Sequence, residues 1–115
     1  MLKVYGIPNC DKMKKVFKLL EDSNITYDLY NYKKQQPTSE LIDKWKKSLG
    51  DWPVNKRGTT YRKLKESFEN SDDQEKCHLI IENSSMITRP IIENNNSIVC
   101  IGDLEKLSSF IKEKM

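Results

Sequence analysis

The sequence predicts an α/β fold: a four-stranded mixed sheet built as βαβ and then ββα, with a helical insert between the second and third strands. Three observations carry this. Residues 2–32 read as strand, amphipathic helix and strand at crossover spacing. Residues 37–83 carry helical patterning without strands, and residues 91–111 read as a hairpin followed by a helix.

Leu2-Lys3-Val4 alternates apolar and polar, which suits a short strand broken by Gly6-Ile7-Pro8-Asn9. From Asp11 the apolar residues Met13, Val16, Phe17 and Leu20 fall at i, i+3, i+4, i+7, one stripe of a helix that Asn24 suits as an exit. Ile25, Tyr27 and Leu29 alternate within ITYDLYNY, a second strand parallel to the first. Pro37-Thr38-Ser39 opens a helix carrying Leu41, Ile42, Trp45 and Leu49 and closed by Gly50. Tyr61 to Phe68 reads as a short helix. Ser71 with Gln74 reads as a capping box for a helix through about Asn83. Ile91-Ile92, the turn ENNNS and Ile98-Val99-Cys100-Ile101 make an antiparallel hairpin. Asp103 caps a last helix with Leu104, Leu107, Phe110 and Ile111 inward.

The chain has 115 residues, which suits one compact domain, its core at about 1–34 and 86–115 and its insert at about 35–85. Lys+Arg 20 against Asp+Glu 17 leaves +3, spread along the chain, so direct nucleic-acid binding is not expected. The densest basic stretch, residues 55–65, reads as a solvated face. No apolar run approaches a membrane span, and MLKVYGIPN lacks a secretory h-region. Cys10, Cys77 and Cys100 show no paired spacing, so a reducing cytoplasm is expected. No metal site is expected, for the single His78 abuts Cys77 without a C-x-x-C pair.

Cys10 stands immediately before the first helical turn, where unpartnered N–H groups and the helix dipole favour thiolate over thiol. The alternative is a buried, inert cysteine. Lys12 and Lys14 add positive potential if near. Met13 occupies the place of a second cysteine, so an oxidised Cys10 needs another thiol, most simply glutathione, to resolve it. Cys100, on a strand read as interior, is expected in the core. Before the third strand stands Thr88-Arg89-Pro90. A cis Arg89–Pro90 bond turns the backbone of Thr88 and Arg89 toward a bound thiol, whereas a trans proline merely opens the strand, and both remain open. Arg57, in KRGTTYR, either joins Arg89 in holding an anion beside Cys10 or serves the surface. His78, Trp45 and Trp52 read as structural.

The element order with a cysteine after the first strand is a thioredoxin-like layout. The segments YGIPNCDKMKK, KRGTTYRKL and TRPII, in this order and spacing, resemble the arsenate reductase ArsC/Spx family, closest to its YffB-type branch. The resemblance covers nearly the whole chain. It implies Cys10 as nucleophile, with Arg57, Arg89, Pro90, Thr88, Asn9 and Lys12 around a substrate or anion site. Glutaredoxin-coupled members carry a further arginine just after a last-strand cysteine, where this chain has Ile101, and a Gly/Ser/Thr-rich cysteine motif, where it has Asp11-Lys12-Met13. The phosphatase-like Cys-x5-Arg loop is absent, since Val16 stands there.

The expected function is that of a glutathione-dependent monothiol oxidoreductase, with glutathione as cosubstrate, no permanently bound cofactor and a small anionic or thiol substrate. Two alternatives accompany it: a glutaredoxin-coupled arsenate reductase, and an Spx-like regulator that binds RNA polymerase.

Overall fold

The computed structural model of the protein describes residues 1–114. The chain divides into two compact units, Met1–Lys33 with the chain from Arg89 onward, and Lys34–Thr88.

In the first unit β1 (Leu2–Gly6), α1 (Asp11–Asp22) and β2 (Tyr27–Asn31) form the crossover, the strands pairing in parallel from Leu2 beside Tyr27 to Gly6 beside Asn31. β3 (Ile91–Asn94) pairs antiparallel with β1, and β4 (Ser97–Ile101) antiparallel with β3, so the four strands lie in the order β2-β1-β3-β4. Asn95 and Asn96 turn the hairpin at φ 50° and 71°, a left-handed conformation that asparagine tolerates. α5 (Leu104–Lys114) follows, with Asp103 Oδ1 accepting the Glu105 N–H at 2.9 Å.

Alternation sorts the sheet into two faces. Leu2, Val4, Ile92 and Cys100 meet Met13, Val16 and Leu20 of α1 and Leu107 and Ile111 of α5 in one apolar cluster. Each fully buried side chain of this size contributes about 1.5–3 kcal/mol of transfer free energy. Phe17 stacks on Tyr27 beside it, centroids 5.6 Å apart. The opposite face carries Tyr5, Tyr30 and Glu93. The Tyr5 hydroxyl donates to Glu93 Oε1 at 3.1 Å, and its ring lies 5.0 Å from that of Tyr30.

Two expectations need correction in this unit. The second strand begins at Tyr27, not Ile25, and Leu29 is 39% exposed although it pairs with the buried Val4. β4 is an edge strand rather than an interior one. Cys100 is nevertheless 1% exposed, because its side chain faces the apolar cluster and not the open edge.

The second unit is helical. α2 (Ser39–Leu49) starts at Thr38, whose Oγ1 accepts the Leu41 N–H at 3.2 Å, and ends at Gly50, whose φ of 81° is the left-handed geometry glycine supplies without cost. α3 (Thr59–Glu69) and α4 (Asp73–Glu82) follow. The cap of α4 is Asp72, not Ser71: the Asp72 carboxylate accepts the Glu75 N–H at 2.8 Å, while the Ser71 hydroxyl donates back to Ser67 O at 2.6 Å. A carboxylate at a helix start also gains from the dipole, which a hydroxyl does not. Trp45 is fully buried, and Trp52 and Tyr61 meet the edge of Phe68. His78 forms an exposed pair with Glu82 on its own helix at 2.8 Å.

Candidate active site

β1 ends at Gly6, and Ile7-Pro8-Asn9 carries the chain to Cys10, the N-cap of α1 at φ −122°, ψ 137°. Its carbonyl accepts the Lys14 N–H at 3.0 Å, but its side chain makes no capping bond. The sulfur therefore stands, partly exposed, at a helix start whose first N–H groups lack intrahelical partners. Those groups favour a negative charge there, and the Asp11 carboxylate in the first turn works against a second one. Met13 is fully buried as the first rung of the stripe. It presses on the end of β1 so closely that a Cβ at Gly6 would lie 2.7 Å from Met13 Cε.

The strand directions bring remote residues to this same end. β1 and β2 run parallel, and Ile91 pairs with both Tyr5 and Ile101. The exits of β1, β2 and β4 and the entry of β3 thus share one edge of the sheet. Three bonds tie them: Tyr32 N–H to Gly6 O at 3.1 Å, Gly102 N–H to Pro90 O at 2.7 Å, and Lys12 Nζ to Gly102 O at 3.5 Å. The Arg89–Pro90 bond is cis, with Pro90 buried and Arg89 partly exposed.

Cys10, Asn9, Lys12, Arg89 and Pro90 accordingly belong to one end of one unit. Thr88 and Arg57 belong to the other unit. The Thr88 N–H donates to Pro53 O at 2.9 Å, within that unit. Arg57 is exposed in a turn ahead of α3, its N–H donating to Asn55 Oδ1 at 3.2 Å. Within that unit an open groove of about 1140 Å³ is lined by Trp52, Cys77, His78 and several acidic residues, and by none of the expected site residues.

The other two sulfurs are held as thiols. Burial, with the Asp103 carboxylate beside it, pushes Cys100 up to about 11. Burial and the Asp43 and Glu40 carboxylates raise Cys77. Neither is suited to attack a disulfide at neutral pH. Among the described residues no cluster of His, Cys, Asp or Glu is arranged to hold a metal ion, and no helix is long and apolar enough to cross a membrane.

Comparison with known proteins gives this arrangement a lineage. The ArsC family model matches residues 5–106. The chain belongs to the ArsC family. An uncharacterized protein of Haemophilus influenzae is 35% identical over 113 residues, covering 96% of this chain and 99% of that one. Among solved structures, the YFFB (PA3664) protein superposes with a TM-score of 0.79 at 28% identity, covering 95% of this chain and 97% of that one. An arsenate reductase (ArsC) related protein from Brucella melitensis superposes with a TM-score of 0.69 at 33% identity, covering 96% and 94%. The fold is thioredoxin-like, a mixed four-stranded sheet with helices.

Sequence reasoning missed a group at this ArsC-family site. Tyr32, just beyond β2, is 5% exposed, and its hydroxyl has no hydrogen-bond partner. The available signal was three tyrosines, Tyr5, Tyr30 and Tyr32, with an acid, Glu93, directly after the apolar pair Ile91-Ile92.

Proposed function

We propose that this ArsC-family protein is a glutathione-dependent monothiol oxidoreductase working in a reducing cytoplasm. One observation carries the reading. Cys10 alone of the three cysteines stands partly exposed at a helix start, while burial and nearby carboxylates keep Cys77 and Cys100 protonated.

The cycle has two exchanges. The Cys10 thiolate attacks the glutathione sulfur of a mixed disulfide. That S–S bond breaks, a Cys10–glutathione disulfide forms, and the substrate sulfur leaves as a thiolate. The thiolate of a second glutathione then attacks the glutathione sulfur on Cys10, releasing oxidised glutathione and restoring Cys10. The proton given up by that second glutathione ends on the released substrate thiol. The sum is one thiol–disulfide exchange: one free glutathione is consumed, the glutathione of the mixed disulfide leaves as half of the oxidised glutathione, and the substrate sulfur is reduced to its thiol. An external thiol is required because Met13 cannot resolve Cys10 and the other two cysteines remain thiols. Arg89 and Lys12 supply positive charge for the glutathione carboxylates, with Asn9 and Pro90 shaping the loops. Arg57 keeps the anion-holding role that the family resemblance gives it, and Arg57→Ala tests that role separately.

The test is treatment with oxidised glutathione followed by mass spectrometry of the intact and digested protein. A single adduct on Cys10, released by reduced glutathione and absent from Cys10→Ser, is expected. No adduct, or one on Cys77 or Cys100, contradicts the reading.

Kinship to arsenate-reductase-related proteins favours a second reading, arsenate reduction coupled to glutaredoxin. Ile101 argues against it, because an apolar side chain beside Ile91 offers an oxyanion no donor. A missing charge-assisted contact costs about 1.5–3 kcal/mol. Arsenate turnover with glutathione and glutaredoxin at a rate comparable to disulfide reduction would reverse the order of the two readings.

A further inference from the structure

The unpartnered hydroxyl of Tyr32 is the starting point. A buried hydroxyl without a partner is costly, and native proteins generally supply one. Its ring meets that of Tyr30 at 67° with centroids 6.2 Å apart, and its backbone N–H donates to Gly6 O at 3.1 Å. The obvious internal acceptor, the Glu93 carboxylate, accepts from Tyr5 at 3.1 Å and makes no hydrogen bond to Tyr32. Burial raises the Tyr32 phenol well above its ordinary value, so at neutral pH the group is a neutral donor. Of the charges acting on it, Arg89 favours a negative neighbour, while the Glu93 carboxylate and the Tyr5 and Tyr30 phenols oppose its ionisation.

The position matters as much as the vacancy. Tyr32 leaves the sheet at the end where Cys10 and the cis Arg89–Pro90 bond also stand. A phenolic donor paired with a guanidinium recognises a carboxylate better than either alone, because the neutral O–H adds direction to the charge.

We propose that Tyr32 is a specificity-determining residue, its hydroxyl donating together with Arg89 to a carboxylate of the thiol compound that exchanges with Cys10. This deepens the glutathione reading and rests on it. Oxidised glutathione supplies such carboxylates, and its carboxyl-esterified form presents the same disulfide without them.

The experiment measures second-order rates of mixed-disulfide formation on Cys10 with oxidised glutathione and with its esterified form, in the intact protein and in Tyr32→Phe. The preference for the free acid over the ester is expected to fall about tenfold in Tyr32→Phe, as befits one lost charge-assisted bond. The melting temperature should hold or rise, since the substitution removes only a buried hydroxyl without a partner. An unchanged preference, including one in which both rates fall together, overturns the proposal while leaving the glutathione reading intact. A lower melting temperature also overturns it, by showing that the hydroxyl serves the fold. Failure of the unsubstituted protein to form either adduct on Cys10 overturns the glutathione reading and this inference with it.

Discussion

Cys10 and Cys100 lie against the same apolar cluster, one at the start of α1 and the other on β4. Cys10 is partly exposed with unpartnered helix N–H groups ahead of it, whereas Cys100 is 1% exposed. Burial and the Asp103 carboxylate push Cys100 up to about 11, although Lys12, Lys106 and a backbone bond at Asp103 pull the other way. The same side chain on the same core is thus either partly exposed at a helix start or packed away from solvent. The difference lies in which element ends beneath it, a helix start or a strand face.

The largest expected effect comes from exchanging the sulfur itself. Cys10→Ser should reduce glutathione transfer to the reagent background, whereas Cys100→Val should retain the rate while altering only stability. Loss of transfer in Cys100→Val would dissolve the distinction between the two sites. Next comes the charge proposed to serve Cys10. Arg89→Ala should slow exchange with oxidised glutathione by about tenfold to a hundredfold, the equivalent of one charge-assisted contact, with Arg89→Lys recovering part. Rates within twofold of the parent would remove Arg89 from the site.

Stability against pH sharpens the other side of the comparison. The folded-state value of Cys100 is raised from about 9 to about 11, so the unfolded chain loses this proton first as pH rises. The stability that this thiol contributes is complete below pH 9 and is lost as pH climbs toward 11, a fall on the order of 2–3 kcal/mol. The raised phenols of Tyr5 and Tyr32 act in the same direction at high pH. Urea midpoints of the parent minus those of Cys100→Val therefore isolate the sulfur. A difference that stays flat between pH 8 and 11 would contradict its buried, protonated state. The smallest effect belongs to Asp103→Asn, which keeps an oxygen for the Glu105 N–H but removes the charge raising Cys100. The alkaline fall should shrink by a fraction of its size.

How much of this could be read in advance follows from the range of each interaction. The stripe Met13, Val16 and Leu20 and the period-two strands are local, and they specified α1, β1 and the crossover. The cap of α4 shifted by one residue because Ser71 and Asp72 both suit a helix start, and only the return bond from Ser71 to Ser67 separates them. Sheet order is a long-range property, so an apolar run at residues 98–101 did not disclose that β4 lies at the edge. At the candidate site, the placement of Cys10 before α1 and of Pro90 before β3 was visible because a helix start and a proline have local signatures. The bond from the Thr88 N–H to Pro53 O was not legible, because its partner lies thirty-five residues earlier in the chain. Tyr32 stayed hidden for a related reason: a missing hydrogen bond can be found only once every neighbour is known.

The central claim is tested most directly by iodoacetamide alkylation of the native protein at pH 7, with the three cysteines followed separately by peptide mass spectrometry. Cys10 should be modified rapidly, faster than a free model thiol, while Cys77 lags and Cys100 remains unmodified until the protein is unfolded. Alkylation of Cys10 no faster than the model thiol, or Cys100 reacting alongside it in the folded state, would contradict the account.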